Sequence, residues 1–320
     1  MRNEFMDWFG LTAPIMQAPI GGAASVALVT AVGKAGGLGS LALTWPKPED
    51  GLADAAKLKA SNVPFFVNFV LGFPNLALPL ILDLGVPAVT LSWGIDAKII
   101  ARIKSSGAKV GVQVGSALGA KHAIEAGADF IIVQGNEAGG HVQSTTPLWQ
   151  LLNETRALAG KTPMIAAGGI SSGVQIAALL KHGASAVMLG TRFVAATESS
   201  AHALYKKAIV DAAAKDTAFT NCFDIDWPFA MHRVLRNSTF ENWEAAGSPI
   251  SPNRPGEGNI VATDGERKLI RYCDESPSED TEGDVLGTCL YAGTGVDHIK
   301  SVEPAGDIVK RLWTEAQASL

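Results

Sequence analysis

The run Gln134-Gly135-Asn136-Glu137-Ala138-Gly139-Gly140-His141 stands directly after the apolar, β-branched stretch Phe130 to Val133. An apolar strand that delivers two adjacent glycines and then an imidazole has the makings of a reaction loop. The glycines let backbone approach a flat ring closely. An imidazole of ordinary environment titrates near neutral pH, which suits it to take a proton from a weak carbon acid or to hydrogen-bond a developing anion. His141 is therefore the leading catalytic candidate; spacing alone also allows a loop histidine bonded to backbone.

A second signal pairs Ala166-Ala167-Gly168-Gly169-Ile170 with Leu189-Gly190-Thr191-Arg192-Phe193, each at the end of an apolar run. Small residues at two successive strand ends expose amide N–H groups, and a short helix opening near Thr191 adds a positive end, so the pair reads as a phosphate cradle. Taken singly, either glycine pair could be a tight turn. Asn68 and Gln113 close other apolar runs and could reach the polar edge of a ring lying over the strand ends, or merely cap turns. His122 and His182 fall on expected helices, His202 follows the cradle, and His232 and His298 lack neighbouring ligand types, so no metal is assigned. No serine stands in a Gly-x-Ser-x-Gly turn, which leaves covalent hydrolysis without a motif.

The elements that must position these residues alternate. Short strands are expected at Ile15 to Ala18, Gly37 to Leu41, Phe65 to Asn68, Ala88 to Leu91, Lys109 to Val114, Phe130 to Gln134, Met164 to Ala167 and Ala186 to Leu189. Between them, helical apolar spacing runs over Val26 to Lys34, Asp54 to Ala60, Ala97 to Ser105, Ala117 to Ala126, Leu148 to Leu158 and Val174 to His182, with Gly36, Gly127 and Gly183 as stops. Eight strands in βα alternation predict a closed (β/α)8 barrel, whose active site lies at the strand C-termini. A doubly wound sheet would place Gly-x-Gly-x-x-Gly after the first strand; Ala18-Pro19-Ile20-Gly21-Gly22 is there instead. The expected organisation is a barrel over residues 1–213, an insertion or lid-like segment over 214–290, and a C-terminal helix over 291–320 that packs back on the barrel. Ser248 to Asp284, rich in Pro, Gly, Ser and carboxylates without a nearby base, reads as a solvated loop or a lid.

Composition narrows the classes. Of 320 residues 47% are hydrophobic and 34 are Gly, and the net charge is −5 with no basic block. That combination suits short buried strands under small-residue helices and gives neither nucleic acid nor an anionic membrane its electrostatic footprint. No apolar run is long enough to span a bilayer, and the N-terminus lacks a signal peptide's apolar core, so a soluble, cytoplasmic protein is expected. Cys222, Cys273 and Cys289 are odd in number and widely spaced, as reduced bystanders would be.

At these residues the chain resembles the nitronate monooxygenase family, formerly 2-nitropropane dioxygenases, which also holds flavin-dependent enoyl-acyl carrier protein reductases and NADH:quinone reductases. The resemblance rests on Pro14-Ile15-Met16-Gln17-Ala18-Pro19, Ala35 to Gly39, Val67-Asn68, the Gln134 to His141 run, Ala166 to Ile170, and Gly190 to Phe193 followed by Glu198-Ser199. It implies a barrel carrying non-covalent FMN, held by Ala18, Pro19, Ile20, Asn68, Gln113, Gly139, Gly168, Gly169, Gly190 and Thr191, with His141 catalytic. It implies oxidation of alkyl nitronates by dioxygen to a carbonyl compound and nitrite. The implied partners are a small nitronate or nitroalkane and dioxygen, with a homodimer as the candidate assembly and no nucleic acid or membrane.

Two features depart from the family pattern. Gln113 stands where some relatives place Lys. The segment from about Phe219 to Gly287 has no compact counterpart, and its Trp227, Phe229, Met231, Phe240 and Trp243 could either cover the flavin or pack as a patch on the barrel. The alternatives are an NAD(P)H-dependent FMN reductase acting on a quinone or enoyl thioester with the same barrel, and a barrel that only stores flavin.

Overall fold

A computed structural model describes residues 2–320. The barrel strands in chain order are β1 (Ile15–Gln17), β2 (Gly39–Ala42), β3 (Phe65–Val70), β4 (Ala88–Ser92), β5 (Lys109–Val114) and β6 (Phe130–Gln134). After the two-residue strand β7 (Gly140–His141) come β8 (Met164–Ala167) and β9 (Ala186–Leu189). All eight barrel strands are parallel, in the order β1-β9-β8-β6-β5-β4-β3-β2. Met16 bridges Leu38 and closes the ring. Gln17 reinforces that seam, because its buried side chain accepts from the Ser40 amide at 2.8 Å while Ser40 Oγ donates to Gln17 O. The fold is the (β/α)8 barrel expected from the alternation.

Four of the helices that follow barrel strands are started by side-chain caps. Ser25, Asp96 and Ser116 accept amide bonds at the first turns of Val26–Lys34, Ala97–Ser105 and Ala117–Glu125, and Ser172 and Gln175 form a capping box for Gly173–Lys181. The expected stops at Gly36, Gly127 and Gly183 all have positive φ. Two of the helices that cover the barrel have no counterpart in the sequence reading. Leu78–Leu84 is a short, mostly apolar segment with a proline in its first turn, too brief for periodicity to register. Glu4–Phe9 closes the N-terminal end of the barrel, its Phe5 and Met6 packing on Met16, Phe66 and Phe130 inside the ring. A larger apolar layer lies between strands and helices.

The last barrel helix comes from the end of the chain. Ala305–Ala318 packs between Gly173–Lys181 and Val26–Lys34, in the position a helix following β9 would take. The motif after β9 explains how: Arg192, fully buried, donates to Ala195 O at 2.8 Å and Ser301 O at 2.7 Å and faces Glu303 at 3.3 Å. Glu198 accepts the Ala305 amide at 2.8 Å and so starts that helix. Two ends of an excursion of about a hundred residues are thus held at the rim.

Ser248 to Asp284, expected as a solvated loop or a lid, is loop over 248–259 and then forms short strands, which corrects the loop reading for its second part. The whole excursion holds β10 (Thr217–Thr220), β11 (His232–Leu235), β12 (Ile260–Asp264), β13 (Arg267–Ile270) and β14 (Thr281–Gly283). Two small antiparallel sheets result, β10-β11-β7 and β13-β12-β14. The carboxylates there are not without a base: Arg267 pairs with Asp264 at 2.6 Å and Glu275 at 2.8 Å. Cys222, Cys273 and Cys289 are buried and free.

The closing helix gives a stability test. Leu312 is fully buried between helices, so Leu312→Ala should lower unfolding free energy by about 3 kcal/mol in denaturant titration. A loss under about 1 kcal/mol would show that the helix contributes little to the barrel.

Candidate active site

All ten residues expected at the cofactor, and His141, line one cavity of about 600 Å³ at the C-terminal ends of the strands. Ala18, Pro19 and Ile20 follow β1, Asn68 sits in β3, Gln113 in β5, Gly139 after β6, Gly168 and Gly169 after β8, and Gly190 and Thr191 after β9. The size is that of a pocket for a small ligand or cofactor.

The glycines differ in what they do. A Cβ on Gly139 would come within 2.4 Å of Gly293 N, so that residue is required by the approach of two backbones. Gly168 and Gly169 have φ of +120° and +66°, a left-handed turn in the cavity wall that glycine alone holds without strain. Gly190 has ordinary φ, and a Cβ there would meet only Ala18 and Ile20 at 3.7 Å. Its missing side chain leaves room in the cavity. Among the described residues the amides of Gly168, Gly169, Gly190 and Thr191 find no protein acceptor. Four free N–H groups beside vacant space are what a phosphate dianion requires.

Asn68 Nδ2 donates to Thr90 O at 3.2 Å and Thr90 Oγ1 at 3.0 Å, which turns its carbonyl oxygen to the cavity. Gln113 Nε2 donates to Gln143 Oε1 at 3.1 Å. Both amides present an oxygen that could meet a ring N–H. Gln134 is used structurally: it donates to His141 O at 3.3 Å and accepts from Gln143 N at 3.1 Å.

His141 is pinned by its backbone. It lies on β7, which pairs with β11 in the register His141 to His232 and Gly140 to Arg233. Its ring stacks at 4.2 Å and 34° on Trp227 and lies 5.4 Å from Tyr291 and 6.2 Å from Trp93. The expectation of near-neutral titration is corrected here: burial, and next the His232 imidazole, push its pKa down to about 3. It is a neutral imidazole across the physiological range, able to accept a proton. Nε2 is buried without a hydrogen-bond partner. His232, lowered to about 4 chiefly by burial, is satisfied by Ala230 O at 2.9 Å and Phe223 N at 3.2 Å.

Sequence reasoning missed much of the wall. Trp93 lines the cavity with φ of +58°, a backbone conformation that L residues rarely hold and that clusters at functional sites. Its place directly after β4 was the available signal. Trp45 and Phe73 complete an aromatic group around Trp227, at 6.4 Å and 4.9 Å from it. Of Trp227, Phe229, Met231, Phe240 and Trp243, Trp227 lines the cavity. Phe240 and Trp243 pack in a separate cluster with Tyr272, and Phe229 is 80% exposed. Asp226, Asp264, Asp274 and Glu275 also line the cavity, with Arg267 the one guanidinium among them.

Known proteins resemble this chain over most of its length. The family model described as nitronate monooxygenase matches residues 45–315. A nitronate monooxygenase of Pseudomonas aeruginosa is 32% identical over 308 residues, covering 80% of this chain and 86% of that one. A Mycobacterium tuberculosis protein, (3aS,4S,5R,7aS)-5-hydroxy-7a-methyl-1-oxo-octahydro-1H-indene-4-carboxyl-CoA dehydrogenase, is 33% identical over 249 residues, 77% of this chain and 69% of that. The solved nitroalkane oxidase of Streptomyces ansochromogenes superposes with a TM-score of 0.82 at 29% identity over 99% of both chains.

Gly190 separates ligand room from folding. Gly190→Val should leave the unfolding midpoint nearly unchanged and weaken flavin binding tenfold or more, about 1.4 kcal/mol, by equilibrium fluorescence. Unaltered flavin affinity would show that Gly190 does not border the flavin.

Proposed function

Because this chain belongs to the nitronate monooxygenase family, whose members are flavin-dependent oxidoreductases, we propose that it binds FMN non-covalently and oxidises alkyl nitronates with dioxygen to a carbonyl compound and nitrite. The observation that carries this reading is one cavity that combines four unpaired amides with a neutral, unpartnered histidine against an aromatic wall. Bound FMN would supply the one-electron oxidation and the reaction with dioxygen. The residues present fit it: the Gly168, Gly169, Gly190 and Thr191 amides would hold the phosphate, and the Asn68 and Gln113 oxygens would receive ring N–H groups.

The protein's own contribution is positioning and proton transfer. Neutral His141 accepts the α-proton of a nitroalkane, whose C–H electron pair stays with the substrate as its nitronate; with a preformed nitronate the same ring hydrogen-bonds the nitro oxygens. Trp93, Trp227 and Tyr291 surround that ring and keep water from competing for its lone pair.

The acyl-CoA dehydrogenase relative raises a second reading, oxidoreduction of a thioester with a pyridine nucleotide. The charges lining the cavity weigh against it: Asp226, Asp264, Asp274 and Glu275 face Arg267 alone, and that guanidinium is already paired with two of them. Polyphosphate tails of CoA or NAD(P)H would meet carboxylates there.

Anaerobic mixing decides between the two. Loss of the oxidised flavin spectrum with propyl nitronate, and none with NAD(P)H, is the expected result; bleaching by NAD(P)H alone would transfer the assignment to a reductase. His141→Asn should retain FMN and lose turnover on neutral nitroalkanes about a hundredfold, with at most a few-fold loss on preformed nitronates. Equal losses on both would exclude the base role.

A further inference from the structure

We propose that Asp274 is the positioning residue of His141, accepting its Nε2–H so that Nδ1 is the nitrogen left to take the substrate proton. The inference rests on the base role of His141 given above. Asp274 follows β13 in the insertion, far from His141 in sequence, yet its Oδ2 stands 3.9 Å from His141 Nε2. Among the described residues no other carboxylate lies within ion-pair distance of that ring. Nε2 has no other partner and is closed off from solvent, so a proton on it has one place to point. A small turn of either side chain brings the pair to the 2.7–2.9 Å of a charge-assisted bond.

The surroundings hold Asp274 in place and set when it can act. Tyr291 Oη donates to Asp274 O at 2.8 Å, and burial raises the Tyr291 phenol well above its ordinary range, so that bond persists through any assay. The groups facing the carboxyl are His141, Asp226, Glu275, Tyr291 and the thiols of Cys273 and Cys289, with Arg267 beyond Glu275. Burial first, then Asp226 and Glu275, raise the Asp274 pKa to about 6. Above that pH Asp274 is an acceptor for Nε2–H. Below it the protonated carboxyl donates to Nε2, moves the ring proton to Nδ1 and closes the base.

This pairing answers a difficulty in the site. An imidazole that burial, and next the His232 ring, hold at a pKa of about 3 is a poor acceptor for a carbon-bound proton. A carboxylate beside the nitrogen that is already protonated stabilises the imidazolium as it forms. The α-proton moves to Nδ1, the C–H electron pair stays on the substrate as nitronate, and the Nε2 proton remains on the ring in its bond to Asp274.

The experiment uses flavin-loaded wild type, Asp274→Asn and Asp274→Ala, each checked for bound flavin and melting temperature. With neutral nitroethane the expected result is an acid limb of kcat/KM near pH 6 in wild type. Both variants should lose that limb and about a hundredfold of kcat/KM, while preformed nitronate turnover falls less than about threefold. Equal losses on the two substrates, or a limb unmoved by substitution, would overturn the proposal. A readout free of turnover is the ¹⁵N spectrum of His141 at pH 8, assigned by His141→Asn. Nε2–H in wild type and Nδ1–H in Asp274→Asn support the pairing; Nδ1–H in wild type ends it even if neither variant folds. A wild type inert to nitroalkane and nitronate alike would refute the proposed function, and the tautomer measurement would still decide the pairing.

Discussion

The site depends on a two-residue antiparallel pairing. Gly140 and His141 leave the barrel rim as β7 and pair with Arg233 and His232 of β11, and Val142 N extends the contact to Met231 O at 2.9 Å. Arg233 then reaches back to Asn136 O with Nε and Nη2, at 3.1 Å and 2.9 Å. The loop that carries the imidazole is thereby held to a second sheet at both ends. A rim loop alone would be among the most mobile parts of a barrel. Here its register is set by ladder bonds, and a one-residue slip would turn the imidazole to the opposite face.

Once the insertion is tied to the rim in this way, it builds the far wall. Trp227 precedes β11 and stacks on His141; Asp274 follows β13; Tyr291 precedes the return to the barrel. Backbone amides after β8 and β9, aromatic rings, and carboxylates with Arg267 thus line the same cavity. Low dielectric around the ring keeps His141 neutral, and the positive φ of Trp93 shows the chain held in a costly conformation to complete that lining.

The barrel tolerates so long an excursion because both of its ends are fastened at one place. Arg192 and Glu198, just after β9, bind Ser301, Glu303 and Ala305 at the start of the closing helix. Loop-closure entropy grows slowly with length, so a hundred ordered residues between those ends add little to the cost of closing the ring. The Gly190-Thr191-Arg192-Phe193 motif therefore serves two ends at once, with free amides toward the cavity and a buried guanidinium toward the insertion.

Short-range pattern in the sequence determined the barrel. Eight apolar runs of strand length, with six stretches of helical spacing between them and three of those ending in a stop glycine, admit few parallel arrangements, and the position of a polar or glycine residue at a strand's end already says on which face of the barrel it lies. That is why Asn68, Gln113, Gly139, Gly168, Gly169, Gly190, Thr191 and His141 could be named from the pattern, with Ala18, Pro19 and Ile20 added by the family resemblance, and all of them share one cavity. The insertion had no such periodicity: its strands are short and exposed on one side, and its carboxylates looked solvated because no local pattern shows that Arg267 turns onto Asp264 and Glu275 or that Asp274 is brought beside the distant His141. Only the tertiary structure decided that Asp274, Trp227 and Trp93 meet His141, and only burial, a property of the assembled chain, decided that this imidazole is neutral rather than poised near pH 7.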